Sequence, residues 1–100
     1  MDRSEVITLI GVEKSKDKRG MPVTTEKRRD IFVNVRSVSM SEFFEAGQTG
    51  LQPQYQFTMF GPDYEGEKIV EYKGVRYAVY RTYRKSTDSL ELYVESRAGV

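Results

Sequence analysis

The sequence contains no cysteine and no histidine among its 100 residues. Without cysteine the chain can form neither a disulfide nor a thiolate metal site. Without histidine it can build no Ser-His-Asp triad, no His-ligated zinc site and no histidine pH switch. No nucleophile-base pair of the usual kind can be assembled from the remaining residues. We therefore expect no enzyme activity, no bound metal and no cofactor.

Long hydrophobic runs are also missing. No apolar stretch approaches the roughly 20 residues that a membrane-spanning helix needs, and the opening MDRSEVITLIG lacks the layout of a signal peptide. We expect a soluble protein that does not contact a membrane. A chain of this length has the size of one domain, so residues 1–100 are predicted to form a single domain.

The net charge is only +1, but the basic residues are concentrated in one segment. Residues 14–29 contain seven basic and only two acidic residues, so the rest of the chain is mildly acidic. These seven are Lys14, Lys16, Lys18, Arg19, Lys27, Arg28 and Arg29. One interpretation is a solvated, mobile loop. The other is an electrostatic contact with the phosphates of DNA or with an acidic partner.

Alternation of apolar and polar residues predicts most of the strands. Residues Val6 to Val12 form a β-branched run, and IFVNVRSV, QYQFTMF and LELYVES each place their apolar residues on one face. EKIVEY and VRYAVYRTYRK are separated by Lys73-Gly74, the spacing of a tight β-hairpin. The segment KSKDKRGMPVTT shows no apolar period and is predicted to be a loop. Six short antiparallel strands and one short helix indicate an all-β fold, a small antiparallel barrel.

The helix is predicted between two strands, in SMSEFFEAGQTG. Ser39 and Glu42 have the spacing of a capping box, and Gly47 is placed to end the helix before a flexible tip. In one interpretation Phe43 and Phe44 plug one end of the barrel. In the other, this excursion makes a subunit contact or gates a channel. Its candidate residues are Glu42, Phe43, Phe44, Gly47, Gln48, Thr49 and Gly50.

Two further patterns have a functional and a structural interpretation. The hairpin that carries Tyr72, Tyr77, Tyr80 and Tyr83 interleaves them with Arg76, Arg81 and Arg84, a mixture that stacks bases in single-strand-binding barrels. Tyrosine also has a high strand propensity, and we favour that structural interpretation because the basic and aromatic residues share no single face. The acidic residues Asp63, Glu65 and Glu67 are a weak metal motif, and we interpret them as a solvated turn.

The chain resembles the head-tail joining family of tailed bacteriophages, which comprises head closure, stopper and head-tail adaptor proteins. The resemblance lies in the strand-turn-strand opening, in SEFFEAGQTGLQPQYQFTMF and in EYKGVRYAVYRTYRKSTDSLELYVESR. The order S-E-x-x-x-A-G-x-x-G before a strand is the more specific of these motifs. The basic segment from Lys14 to Arg29 departs from the family pattern, so the resemblance implies no role for it.

The resemblance implies a structural virion protein that forms a ring at the head-tail junction, assembled in the host bacterial cytoplasm. Its implied partners are further copies of itself, a portal or adaptor protein on the head side, tail proteins on the other side, and packaged double-stranded DNA in the channel. Two alternatives remain open. One is a nucleic-acid-binding barrel of the OB type that uses the Tyr/Arg hairpin, and the other is a tail-terminator or tail-completion subunit.

Overall fold

A computed structural model describes residues 5–100 of the chain. Six strands, one α-helix and a short 3-10 turn at Gly61–Asp63 make up this part. They are β1 (Glu5–Lys16), β2 (Pro22–Ser37), α1 (Met40–Gly47), β3 (Pro53–Phe60), β4 (Ile69–Tyr72), β5 (Val75–Arg84) and β6 (Ser89–Glu95). All neighbouring strands run antiparallel, and they close into a barrel in the order β1-β2-β3-β6-β5-β4. The predicted all-β, six-stranded barrel with one short helix is confirmed.

The barrel interior is filled by alternate residues of the strands, as the period-two pattern predicts. The buried cluster consists of Ile7, Leu9, Ile31, Val33, Phe57, Met59, Val70, Tyr72, Leu90, Leu92 and Val94. Tyr55 and Tyr77 pack against this cluster near one end, with their ring centroids 5.6 Å apart. The centroid of Tyr55 also lies 5.3 Å from that of Tyr72. The interior of the barrel is thus occupied by the chain's own side chains.

The β4–β5 hairpin has the predicted two-residue turn. Lys73 and Gly74 both adopt positive φ angles, 51° and 79°, as a tight hairpin turn of this length requires. Strand β6 confirms the expected inward set Leu90, Leu92 and Val94. Its outward-facing Tyr93 and Glu95 are nevertheless buried, at 7% and 3% exposure. Other parts of the chain therefore cover the outside of the barrel at β6.

The predicted loop over Lys14–Thr25 is wrong. Strand β1 continues to Lys16 and β2 begins at Pro22, paired residue by residue from Glu5↔Val33 to Lys16↔Pro22. Only the five residues 17–21 form the connecting turn. The alternation was missing because every residue from 12 to 28 is exposed, so neither face of this part of the hairpin buries apolar side chains. Alternation of apolar and polar residues indicates that one face of a strand is buried. A strand that is exposed on both faces lacks this pattern and is not detected by it.

The interpretation of Phe43 and Phe44 as a barrel plug is also wrong. No residue of α1 is buried, and the helix contacts the barrel from outside, next to β3. Ser39 does cap the helix, since its side chain accepts a hydrogen bond from the backbone N–H of Glu42 at 3.1 Å. The positive φ that ends the excursion falls on Gly50 rather than on Gly47. In the described part of the chain, no helix has the length and apolar character needed to cross a bilayer.

Candidate functional site

The β1–β2 hairpin extends beyond the barrel as a two-stranded ribbon. After Ile10, β1 has no strand neighbour but β2, and the described part of β2 before Asn34 has none but β1. We call residues 11–27 the ribbon. Six residues per strand at about 3.4 Å each make it about 20 Å long. The chain is elongated, with principal extents of 51, 32 and 24 Å.

Asp17 organises the turn at the end of the ribbon. Its Oδ1 accepts hydrogen bonds from the backbone N–H groups of Arg19 at 2.8 Å and Met21 at 2.9 Å. The N–H of Gly20 donates to the carbonyl of Asp17 at 3.0 Å, and Gly20 takes the positive φ of 79° that closes such a turn. The negative charge of Asp17 is therefore engaged with the backbone, while Lys18 and Arg19 stand at the exposed tip.

The two faces of the ribbon differ in charge. Strand pairing places six residues on one side: Val12, Lys14, Lys16, Pro22, Thr24 and Glu26. We call this the lysine face. The opposite face carries Glu13 and Lys27, whose Oε2 and Nζ atoms lie 3.6 Å apart. The lysine face and the turn thus hold the excess positive charge, and the opposite face is close to neutral.

The seven basic residues singled out in the sequence separate into two groups. Lys27 pairs with Glu13, Arg28 with Glu71 at 2.7 Å, and Arg29 with Glu65 and Glu67. Within residues 5–100 the other four, Lys14, Lys16, Lys18 and Arg19, form no ion pair. The first group is held in ion pairs, of which Lys27–Glu13 is an exposed one, and the second group has none in that part of the chain.

Arg29 and Glu67 close the barrel end opposite the tyrosines. Arg29 lies on the interior side of β2, and its Nε and Nη2 donate to Oε2 of Glu67 at 2.9 and 2.5 Å. Tyr64 covers the same end, donating its hydroxyl hydrogen to the Glu67 carbonyl. Burial alone would raise the pKa of Glu67. Hydrogen bonds from Arg29 and the backbone outweigh burial and hold that pKa below 4.5. Glu67 is therefore a buried ion-pair partner rather than part of a solvated turn, whereas Asp63 and Glu65 are exposed as that interpretation expects.

Helix α1 presents apolar side chains to solvent. Met40 is 70% exposed, Phe44 63% and Phe43 44%, and the two phenylalanine rings meet edge to face with centroids 6.0 Å apart. These aromatic residues lie side by side on a short helix and keep about half of their surface in solvent. Surfaces of this composition are typical of protein–protein interfaces.

A small polar cluster, which we call the latch, fixes α1 to the barrel wall. Oε1 of Glu42 accepts hydrogen bonds from Nη2 of Arg81 at 2.7 Å and from the hydroxyl of Tyr80 at 3.3 Å. The Arg81 guanidinium stacks on Tyr93, 3.9 Å from the ring centroid. Burial, followed by the nearby Glu42 carboxylate, raises the pKa of Tyr80 to about 12. Glu42 thus binds β5 rather than completing a capping box with Ser39.

The segment after the helix folds back onto its last turn. The backbone N–H and the hydroxyl of Thr49 both donate to the carbonyl of Ala46, at 3.0 and 2.7 Å. The N–H groups of Gln48 and Gly50 donate to Phe44 and Gly47. Residues predicted to form a flexible tip are therefore held in a hydrogen-bonded turn, beside the latch and the helix.

Most of the Tyr/Arg hairpin is used by the fold, and of its tyrosines Tyr83, at 53%, is the exposed one. Tyr72 is buried in the barrel and Tyr77 packs against its core. Arg76 is bound by Glu26 through two hydrogen bonds of 2.9 and 3.0 Å, and Arg81 belongs to the latch. The structural interpretation of this pattern, favoured from the sequence, agrees with these positions.

Sequence reasoning missed two features of the surface. Phe32 is 66% exposed and lies opposite Val6 in the β1–β2 pairing, so both apolar side chains face outward. The signal was present in IFVNVRSV, where Phe32 falls on the polar face of the alternation. The partners of Glu42 had no local signal, because Tyr80 and Arg81 are 38 and 39 residues away.

Besides the outward-facing pair of Val6 and Phe32, two surfaces carry side chains that the fold of residues 5–100 does not use. One is the lysine face of the ribbon with its turn, and the other is the apolar outer side of α1. Together they form the candidate functional site. No protein-family model matches the chain, and no curated protein matches it.

Proposed function

We propose that this chain is a structural subunit of the head-tail connector of a tailed bacteriophage. In this role it forms a ring that closes the DNA-filled head and joins it to the tail. The ring would contact a portal or adaptor protein on one side and tail proteins on the other, with packaged DNA in its channel. The motifs that resemble the head-tail joining family supply the specific assignment.

The observation that carries the proposal is the exposed apolar side of α1. A helix with no buried residue leaves Met40, Phe43 and Phe44 in water, and covering them with another protein surface recovers hydrophobic free energy. The helix is also held to the barrel at the latch, so this surface has a defined orientation. An ordered apolar helix face favours a role in assembly.

The barrel itself is consistent with a scaffold role. Its interior is occupied by its own side chains, one end by tyrosines and the other by Arg29 and Glu67. Such a barrel positions the helix and the ribbon rather than enclosing a ligand. The OB-type alternative is less favoured, because two of the three arginines of the Tyr/Arg hairpin, Arg76 and Arg81, are held in ion pairs. A tail-terminator subunit would use the same surfaces for the other side of the junction.

Genetic complementation tests the proposal. A phage that lacks this gene should yield filled heads that lose DNA or fail to join tails, and the wild-type gene should restore infectious particles. A Phe43→Ser/Phe44→Ser variant should fold normally but fail to restore them. Val75→Ser, which removes an exposed apolar side chain from β5, serves as the matched control. Normal particle yield with the double variant would contradict the role given to α1.

A further inference from the structure

The geometry points to a nucleic-acid contact surface. We propose that the lysine face and the turn of the ribbon bind the phosphate backbone of double-stranded DNA without sequence preference. The contacting groups are Lys14, Lys16, Lys18 and Arg19, with Thr24 as a neighbouring hydroxyl. This inference deepens the proposed function and rests on it for the presence of DNA near the ribbon.

The shape of the ribbon fits a duplex. Two paired strands lie about 4.8 Å apart, and the major groove of B-DNA, about 12 Å wide, admits a two-stranded ribbon. Lys14 and Lys16 are two residues apart on one face, a step of about 6.8 Å along the strand. The exposed backbone from residue 12 to 28 leaves both faces of the ribbon open to a large partner. The ribbon can therefore lie along a groove with its lysines directed at one phosphate strand.

Ion pairs at the base of the ribbon hold it in place. Arg28 reaches Glu71 on β4 at 2.7 Å, and Glu26 accepts both hydrogen bonds from Arg76 on β5. These contacts connect the base of the ribbon to the barrel wall. They also neutralise Glu26, the acidic residue of the lysine face, because Arg76 binds its carboxylate. Lys14, Lys16, Lys18 and Arg19, which form no ion pair within residues 5–100, are thus carried by a ribbon that is fixed at its base.

The composition of the ribbon favours DNA over an acidic protein. Protein–protein interfaces are enriched in aromatic residues and depleted in lysine, whereas residues 11–27 contain four lysines and no aromatic residue. Phosphate contacts are made by Lys, Arg and hydroxyl side chains, which the ribbon has. Apolar aromatic contacts are instead concentrated on α1. The two surfaces therefore suit different partners.

The same composition favours a duplex backbone over single strands or base reading. Single-stranded nucleic acid is bound by aromatic platforms on which bases stack, and the ribbon has none. Adenine is read by Asn or Gln, and neither occurs in residues 11–27. Lysine and arginine contacts to phosphates carry no sequence information. Binding should thus depend on salt and not on sequence.

Fluorescence anisotropy with a labelled 30-base-pair duplex tests this surface on the free protein. Four phosphate contacts give a slope of log K against log salt of about −3.6, an affinity loss of about 150-fold between 50 and 200 mM salt. In Lys14→Gln/Lys16→Gln the slope should fall to about −1.8, an affinity loss of about 12-fold. Lys27→Gln, on the opposite face and paired with Glu13, should keep the wild-type slope. Circular dichroism checks that each variant folds.

Three results would overturn the inference. They are no binding by the wild type at 50 mM salt, a wild-type slope in the double variant, or tighter binding to polyglutamate than to the duplex. The last result would assign the surface to an acidic protein. Because the assay needs no ring, its outcome is separate from the proposed function. Duplex binding by a protein absent from virions would refute only the connector role, and a virion ring without duplex binding would refute only this surface.

Discussion

Arg29 and Glu67 meet across one end of the barrel, joined by two hydrogen bonds although they are 38 residues apart in sequence. The Glu67 side chain is only 7% exposed, whereas that of Arg29 is 34% exposed. The pair therefore places a buried carboxylate beside a partly solvated cation, and that cation is one of the basic residues that the sequence suggested for DNA. Arg29 instead holds the loop between β3 and β4 over the barrel core.

Replacing Arg29 with Met tests this structural role. The change leaves the buried Glu67 carboxylate without its cation, so we expect the free energy of unfolding to fall by about 2 kcal/mol at pH 7. This is less than for a fully buried pair, because solvent screens Arg29. Urea unfolding of wild type and variant provides the measurement. Lys27→Met, at an exposed pair, should change stability by less than about 0.5 kcal/mol.

The pH dependence of the Arg29→Met effect gives a second readout. In the wild type the pKa of Glu67 lies below 4.5. The stability from this carboxylate is therefore present above pH 4.5 and is lost as pH falls through the lowered pKa. In the variant, burial without Arg29 favours the protonated acid. The stability difference between the two proteins should thus narrow between pH 7 and pH 4. An equal difference at both pH values would contradict the ion-pair explanation.

The stability of a Phe44→Ala variant distinguishes a packing role of this side chain from an assembly role. Because its side chain is 63% exposed, Phe44→Ala should lower the free energy of unfolding by no more than about 0.5 kcal/mol. Phe57→Ala is the matched control, since Phe57 is fully buried and its truncation should cost about 3–5 kcal/mol. A loss of that size at Phe44 would show that the ring packs against something essential to the fold. Chemical denaturation of wild type and both variants measures these free energies of unfolding.

The contact between Glu42 and Tyr80 in the latch is expected to affect the ionisation of the Tyr80 hydroxyl, which can be followed by absorbance. Glu42→Gln removes the carboxylate beside Tyr80, so the pKa of Tyr80 should drop from about 12 while staying above 10, because burial remains. Spectra of Tyr80→Phe, subtracted at each pH, isolate this tyrosine from the other six. Because folding raises this pKa, the stability that Tyr80 contributes is complete below pH 10 and is lost as pH rises towards 12. An unchanged Tyr80 titration in Glu42→Gln would refute the contact.

The sequence predicted the strands wherever one face is buried. In β3 and β6 the apolar residues of the alternating pattern are the ones that face the barrel interior. The Lys73-Gly74 pair predicts the hairpin turn from its own sequence. The ribbon could not be predicted in this way, because neither of its faces packs on a core. Its only local signal was the turn DKRG, in which Asp17 and Gly20 have defined conformational roles.

Placement of the helix and of the charged groups depended on contacts distant in sequence. The propensity and cap of α1 were readable, but its position outside the barrel depends on Arg81 and Tyr80 of β5. Likewise, charge counting could not distinguish Arg29, which binds Glu67, from Lys16, which forms no ion pair within residues 5–100. The folded barrel brings the loop with Glu67 beside Arg29 and leaves Lys16 exposed.

The most direct test of the connector role is cryo-electron microscopy of tail-less, DNA-filled heads, combined with mass spectrometry of mature virions. The account predicts a ring of this protein at the portal vertex, with α1 at the contact between a subunit and a neighbouring protein. Peptides of the chain should then be present in the virions in proportion to one ring per particle. A portal vertex without such a ring, in virions that lack the chain, would contradict the account.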